Sequence, residues 1–514
     1  MLISNYIRGD TPEFTLVRNG NEVTATFFYL LNGLDILDPW SGGMYAEVGT
    51  YEDSIVQEGE REMNLQIVAT LAEDTTTSGS YFIQDHADDV SLERQFTVTL
   101  FSSAGNFVGT EKADYVFGSS ATDTFRSKGS GDIFEGGGGG DFYRIYSADT
   151  KIVEAQGGGS DYLGSAVSYV LAEGVWIESM ATTSSSGKAA IDLTGNELYQ
   201  AITGNAGANT LKDGGGAGDI LRGLAGDDTY LIYSAATTVV ETSSQGTFDR
   251  VLAATDYVLG SGAFVERLAT TSSSGTAAID LTGNALKQEI IGNDGANILD
   301  DGGIGGADTL RGMNGNDTYL VFNSGDIIIE ASNQGAADHV KTTVDFILGN
   351  GVYVENLTTT GYLRAIDLTG NEIAQKIVGN NEVNSIDGQG GSDTIDGKGG
   401  SDTLQGGTGS DYFTFSSWLG ASNVDTVVDY DVPADTIQLE NIVFTALTAV
   451  GALAADAFKD TADGPKDADD RIVYNSESGA LYYDADGSGS VHGNVKFAVL
   501  TGAPEITAAD FQVV

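Results

Sequence analysis

In four stretches of the chain an apolar or aromatic residue returns every ninth position, interrupted only by one extra residue in the second stretch and two in the third, each time two places after an Asp or Asn. The clearest stretch reads GQGGSDTID, GKGGSDTLQ, GGTGSDYFT over residues 388–414. Such a period fits neither a lone helix nor an alternating strand. It predicts six-residue turns joined to three-residue strands, with the eighth residue of each block facing a core. The other stretches are residues 109–144, 204–231 and 292–320, and the fourth begins at GNNEVNSID, residues 379–387. Fourteen blocks result. The sixth place is Asp in eleven: Asp114, Asp123, Asp132, Asp141, Asp219, Asp228, Asp308, Asp317, Asp393, Asp402 and Asp411. It is Asn in three: Asn209, Asn297 and Asn384.

A longer period carries these clusters. AIDLTGN places its Ile at 191, 279 and 366, with TKIVEAQ, TTVVETS and DIIIEAS upstream. Each unit is a nonapeptide cluster followed by about sixty residues of short β-branched strands, the mark of a solenoid. None of the five prolines falls between Trp40 and Val432, as expected where every strand must donate N–H groups to its neighbours. Residues 1–108 alternate as EVTATFFYL, MNLQIVATL and RQFTVTLF, which predicts a β-sandwich-like domain. Residues 109–415 form the solenoid. Residues 416–514 form a mixed tail with a helix-compatible LTAVGALAADAF. The expected fold is therefore all-β: a parallel β-roll or β-solenoid, with an N-terminal β-sandwich-like domain and a C-terminal cap.

Charge changes the picture. Seventy-four acids against 24 bases give a net charge of −50, which disfavours nucleic acid and anionic membrane and suits cations. Seventy glycines in 514 residues are about twice the usual share of ~7%, yet 41% of residues are hydrophobic, enough for a core. There is no cysteine, so disulfides and thiolate metal sites are excluded. No apolar run is long enough to predict a transmembrane segment, and MLISNYIRGDTPEF shows no Sec-type signal pattern.

Glycines permit left-handed backbone and let carbonyl oxygens converge. The Asp adds a carboxylate. Together these are hard oxygen ligands that select Ca²⁺ over transition metals. Two blocks make one coil, so block n lies against block n+2. The resulting pairs are Asp114 with Asp132, Asp123 with Asp141, Asn209 with Asp228, Asn297 with Asp317, Asn384 with Asp402, and Asp393 with Asp411. Carboxylates stacked about 4.8 Å apart repel by roughly 3–4 kcal/mol at an effective dielectric of ~20, unless a cation lies between them. The Asn members predict weaker sites at each cluster's entry. Asp219 and Asp308 have no stacked partner within their own clusters, so Asp402 and Asp411 are expected to matter more than Asp219.

These GGxGxDxUx blocks resemble those of the RTX (repeats-in-toxin) family, and the text around VENL and AIDLTGN is similar to spacers of its large surface proteins. The resemblance covers residues 109–414. It implies several bound Ca²⁺ ions, export by a type I secretion ABC transporter, and an uncleaved export signal in the tail. The final DFQVV would stay accessible to that transporter. DTVVDYDVPADTIQL matches the cap pattern of such proteins, which puts a further calcium at Asp429 and Asp435.

Weaker candidates stand beside these. Glu154, Glu241 and Glu330 are followed by Asp161, Asp249 and Asp338. Spacer calcium sites and solvated turn acids are both open readings of them. DADGSGS from Asp484 is similar to the start of an EF-hand loop, but Val495 stands where the twelfth-position Glu belongs. No HExxH or GxSxG motif occurs.

Three function classes compete. A secreted calcium-binding structural or adhesive protein agrees with the absence of a catalytic constellation. It would be a surface-layer, adhesin or extracellular-matrix component that self-associates or holds a cell-surface glycan. A secreted glycan-active enzyme would need its paired carboxylates in residues 1–108. A pore-former would need long apolar helices ahead of the repeats, and none is present. The first reading is preferred: not an enzyme, extracellular and attached to the cell surface.

Overall fold

A computed structural model describes residues 104–361, 363–488 and 493–514 in full, together with the strand paths between Glu13 and Leu100. Among these the chain is all-β. Its only helical pieces are single 3₁₀ turns at Ala455–Ala457, Thr461–Asp463 and Ala508–Asp510. The chain divides into two compact units, Met1–Asp228 and Thr229–Val514.

In the first unit, strands Glu13–Asn19, Glu22–Leu31, Glu60–Thr70 and Glu47–Gln57 form an antiparallel sheet in that spatial order. Thr76–Asp85 and Val90–Leu100 form an antiparallel hairpin. Val90–Leu100 then pairs in parallel with Ala113–Phe117, so the hairpin leads directly into the first coil. The packing of the expected sandwich rests on side chains outside the described residues.

From there the strands pair in parallel. Phe107, Phe125, Tyr143, Leu163, Met180, Ile202 and Leu221 are register neighbours in successive strands of one sheet. All except Phe107 are fully buried. Val116, Phe134 and Ile152 form the corresponding column of the facing sheet. Phe125 stacks on Tyr143 at 4.9 Å between centroids. These are the eighth-place residues of the nonapeptides, continued by spacer residues. The spacer is thus not a separate element but more coils, with longer loops between strands. Tyr169 pairs with Leu193, 24 positions on, where the nonapeptide step is 18.

The second unit repeats the design. One column runs Tyr230, Val251, Leu268, Ile290, Leu310, Ile328. Another runs Tyr257, Leu281, Leu299, Tyr319, Val340, Leu357, Ile377, Ile395, Phe413, Ile437, Phe511. Tyr230 and Tyr319 are equivalent in the long repeat, yet they stand in different sheets. Eight strands separate theirs, so one repeat is an odd number of strand steps and reverses the sheet.

The tail closes this unit. Val495–Leu500 pairs in parallel with Asp425–Val427 and antiparallel with Ala480–Tyr483. Phe511–Val513 pairs in parallel with Thr436–Leu439, and Phe511 and Val513 are buried. The expected accessible DFQVV is therefore part of the sheet in the folded chain. LTAVGALAADAF forms no α-helix. Gly451 takes a φ of 117°, and Gly451–Ala452 pairs with Gln512–Val513, leaving only the turn at Ala455–Ala457.

Candidate metal centres

Every sixth-place side chain is buried, with at most 2% of its surface exposed. All six predicted pairs are brought together by one repeated bond: the backbone N–H of one member donates to a side-chain oxygen of the next coil. Asp114 donates to Asp132 Oδ1 (2.9 Å), Asp123 to Asp141 Oδ1 (2.7 Å) and Asn209 to Asp228 Oδ1 (2.7 Å). Asn297 donates to Asp317 Oδ1 (2.7 Å), Asn384 to Asp402 Oδ1 (2.7 Å) and Asp393 to Asp411 Oδ1 (2.8 Å). The parallel register sets the pairing, and the carboxylates form a ladder along each turn edge.

The ladder includes rungs that the sequence reading missed. Asp219 has a coil partner after all: the N–H of Gln200 donates to its Oδ1 (2.7 Å). Gln288 does the same for Asp308 (2.6 Å), and Gln375 for Asp393 (2.8 Å). These glutamines are sixth residues of further nonapeptides, GNELYQAIT, GNALKQEII and GNEIAQKIV, each contiguous with the cluster that follows. They carry an amide where the other blocks carry Asp or Asn. The opening Gly-Asn and the buried eighth residues Ile202, Ile290 and Ile377 were the available signal.

The turns fall into two kinds. In closed turns the sixth-place side chain is latched by the backbone four residues before it. Ser119 N–H donates to Asp123 Oδ2 (2.6 Å) and Thr110 N–H to Asp114 Oδ2 (2.6 Å). Lys128 N–H lies farther from Asp132 Oδ2 (3.4 Å). The Asn turns are closed more fully. Asn209 Oδ1 accepts from Asn205 N–H (2.7 Å), while its Nδ2 donates to Ile191 O (2.9 Å). Asn297 and Asn384 repeat both bonds. The Gln turns are latched as well: Gln200 Nε2 donates to Asn196 Oδ1 (2.7 Å), whose Nδ2 holds the carbonyls of Ala172 and Val175. AIDLTGN thus ends in an uncharged turn that its own amides complete.

In open turns the latch is missing. Oδ2 of Asp141, Asp219, Asp308, Asp317, Asp393, Asp402 and Asp411 is buried without a hydrogen-bond partner. In all of these turns except that of Asp308, where Ile304 holds the second place, the cause is the second place of the block. Gly137, Gly215, Met313, Gln389, Lys398 and Gly407 there have φ between 69° and 93°. Met, Gln and Lys are uncommon in this left-handed region, which costs them of order 1–3 kcal/mol. The N–H of that residue turns away from the carboxylate. Gln389 N–H goes to Asp387 Oδ1 (3.0 Å), Lys398 N–H to Asp396 Oδ1 (2.9 Å) and Gly215 N–H to Asp213 Oδ1 (3.1 Å).

The first-place glycines make room for the freed oxygen. A Cβ on Gly397 would lie 2.2 Å from Asp402 Oδ2, and one on Gly406 2.4 Å from Asp411 Oδ2. A Cβ on Gly388 would meet both Asp393 Oδ2 (2.3 Å) and Gly406 O (2.7 Å). A carboxylate oxygen and a backbone carbonyl of the next coil therefore share one small space. Burial raises Asp219, Asp308, Asp317 and Asp393 to about 7, with neighbouring carboxylates adding to the rise. An oxygen-only, anionic pocket is what a hard cation needs. The open turns fit a divalent ion, and the closed turns are complete without one.

No family model and no curated protein matches the chain. What stands is a β-solenoid with buried acidic clusters able to hold metal.

The remaining candidates divide. Asp429 accepts from Gly406 N–H (3.0 Å) and Gly407 N–H (2.8 Å). Asp435 accepts from Asp411 N–H (2.9 Å) and Asp431 N–H (2.8 Å). Both extend the ladder into the tail with each oxygen engaged. Asp484 is fully buried and paired with the Lys466 ammonium, which also reaches Asn494 Oδ1 (2.6 Å). A lysine supplies the positive charge where the EF-hand resemblance put a cation. Glu154, Asp161, Glu330 and Asp338 are buried, which removes the solvated-turn reading for them. They join Asp141 and Asp317 in two three-carboxylate groups. Burial pushes Glu154 and Glu330 up to about 8. Among the described residues no helix is long and apolar enough to cross a membrane.

Proposed function

We propose that the chain is a secreted calcium-binding structural or adhesive protein, whose coils fold on Ca²⁺ outside the cell and which then assembles on, or attaches to, the cell surface or matrix. The observation that carries this reading is the file of buried Oδ2 atoms without partners in the open turns. Removing carboxylates from water without counter-charge is strongly unfavourable. A chain that repeats this arrangement is poorly folded where free calcium is scarce and ordered where it is plentiful. Export in the unfolded state follows, and the buried C-terminal strand is then readable by a transporter only before folding.

The net charge of −50 supports divalent-dependent association, because two copies repel unless cations bridge or screen them. The test is to image the purified full-length protein, with scattering in parallel, in EGTA and in millimolar calcium. Sheets, filaments or binding to glycan-bearing surfaces in calcium alone are expected. Dispersed monomers that bind no surface and instead cleave a polysaccharide would overturn the reading.

A further inference from the structure

Three times along the chain a Tyr occupies the eighth place of a nonapeptide, and each time a Glu follows eleven residues later: Tyr143 and Glu154, Tyr230 and Glu241, Tyr319 and Glu330. The other eleven Asp or Asn blocks carry Val, Leu, Ile or Phe at that place, and the three Gln blocks carry Ile. Phe413, in the last block, is followed eleven residues on by Val424. Tyrosine thus appears only where the glutamate does. In all three pairs the phenol O–H donates to one glutamate oxygen, and all three rings are fully buried.

The glutamate does not stand alone. One oxygen each from Asp141, Glu154 and Asp161 lie within 4.8 Å of one another, as do oxygens of Asp317, Glu330 and Asp338. Two ligands at about 2.4 Å from one calcium can be at most about 4.8 Å apart, so all three carboxylates of a group can reach a single ion. Asp141, Glu154 and Asp161 are at most 5% exposed. Their Oδ2, Oε2 and Oδ2 atoms have no hydrogen-bond partner, and neither do Asp317 Oδ2 and Glu330 Oε1. Among the described residues no Lys, Arg or His forms an ion pair with either group.

The bonds already made leave those atoms free. Tyr143 occupies Glu154 Oε1 and leaves Oε2. Asp141 N–H occupies Asp161 Oδ1 (2.8 Å) and leaves Oδ2. Gly158 leaves room at the site: a Cβ there would lie 2.8 Å from Glu154 Oε2. The group also joins two sheets. Tyr143 lies on Phe142–Ile145, whereas Glu154 follows Lys151–Val153 of the facing sheet. The second group repeats this with Tyr319 on Thr318–Val321 and Glu330 after Ile327–Ile329.

We propose that each Asp–Glu–Asp group, oriented by its tyrosine, binds one hard divalent cation, Ca²⁺, at a site that starts from the open turn of Asp141 or Asp317 and is completed by the spacer carboxylates where cluster passes into spacer. The middle repeat carries the same residues in sequence: Asp228, Tyr230, Glu241 and Asp249. Three carboxylates and one bound hydroxyl give a charge of −3 that a divalent ion offsets, and the tyrosine fixes the glutamate so that one oxygen faces the ion. The site rests on the calcium reading of the chain.

The test uses full-length protein, counting bound calcium by equilibrium dialysis and exciting bound Tb³⁺ through tyrosine. Glu330→Gln should bind one calcium fewer per chain. Tyr319→Phe should keep the calcium count and lower tyrosine-excited terbium emission, because the Tyr319 hydroxyl is bonded to Glu330. If the wild type binds no calcium, this site and the calcium reading fail together. If the wild type binds calcium and Glu330→Gln binds as many ions, this site alone fails. Should Glu330→Gln not fold in calcium, Tyr319→Phe decides, since unchanged terbium emission overturns the proposal.

Discussion

The backbone N–H of Asp393 donates to Oδ1 of Asp411 across 2.8 Å, while Oδ2 of both carboxylates has no partner inside the fold. One oxygen sets the register between coils and the other is left over. The same division of labour recurs in both units, between Gln200 and Asp219 and between Gln288 and Asp308.

Calcium removal is the first expectation. The chain should lose its β-type circular dichroism in EGTA and regain it on adding calcium, with a midpoint in the weak extracellular range of roughly 10⁻⁴–10⁻³ M. A β spectrum unchanged by EGTA would remove the link between metal and folding.

Open and closed turns should respond differently to the same change. Asp402→Asn takes a charge from an open turn and should raise the calcium midpoint. Asp219→Asn should raise it by a similar amount, because Asp219 has both a coil partner and a free Oδ2. Asp123 is latched by Ser119, so Asp123→Asn should leave the midpoint nearly unchanged. A calcium titration followed by circular dichroism ranks the three, and equal shifts would refute the distinction.

The first-place glycine can be tested by adding one carbon. Gly397→Ala brings a Cβ within 2.2 Å of Asp402 Oδ2. It should weaken calcium binding and cost about 1–3 kcal/mol of stability in calcium. Gly420→Ala meets nothing within 4 Å and serves as the control. Thermal melts of both variants in calcium read the difference.

The pH dependence should reverse with metal. Burial raises Asp219, Asp308, Asp317 and Asp393 to about 7, against about 4 in the unfolded chain. Without metal the folded state holds protons that the unfolded state has already released. The contribution of these groups to stability is therefore full below about pH 4 and is lost as pH rises through about 7. With calcium the ion needs the deprotonated oxygens, so the apparent affinity should fall as pH drops below about 7. Tyrosine fluorescence against pH, in EGTA and in calcium, should give curves of opposite slope.

The sequence by itself determined the nine-residue turn and strand, the buried eighth residue and the six stacked pairs, because all follow from a local period that needs no knowledge of distant contacts. It also carried the oxygen-only chemistry of the sixth place. Only the tertiary structure decided which of those places is free. Asp123 and Asp402 occupy the same position of the same motif, yet one is latched by an N–H and the other is not, since that depends on whether Ser119 or Lys398 takes the left-handed conformation. Likewise Glu154 and Asp161 read as either turn acids or ligands until parallel pairing buried them beside Asp141. Their spacing repeats but lies outside the nine-residue period, and the distance that matters is set by coils stacking across two sheets.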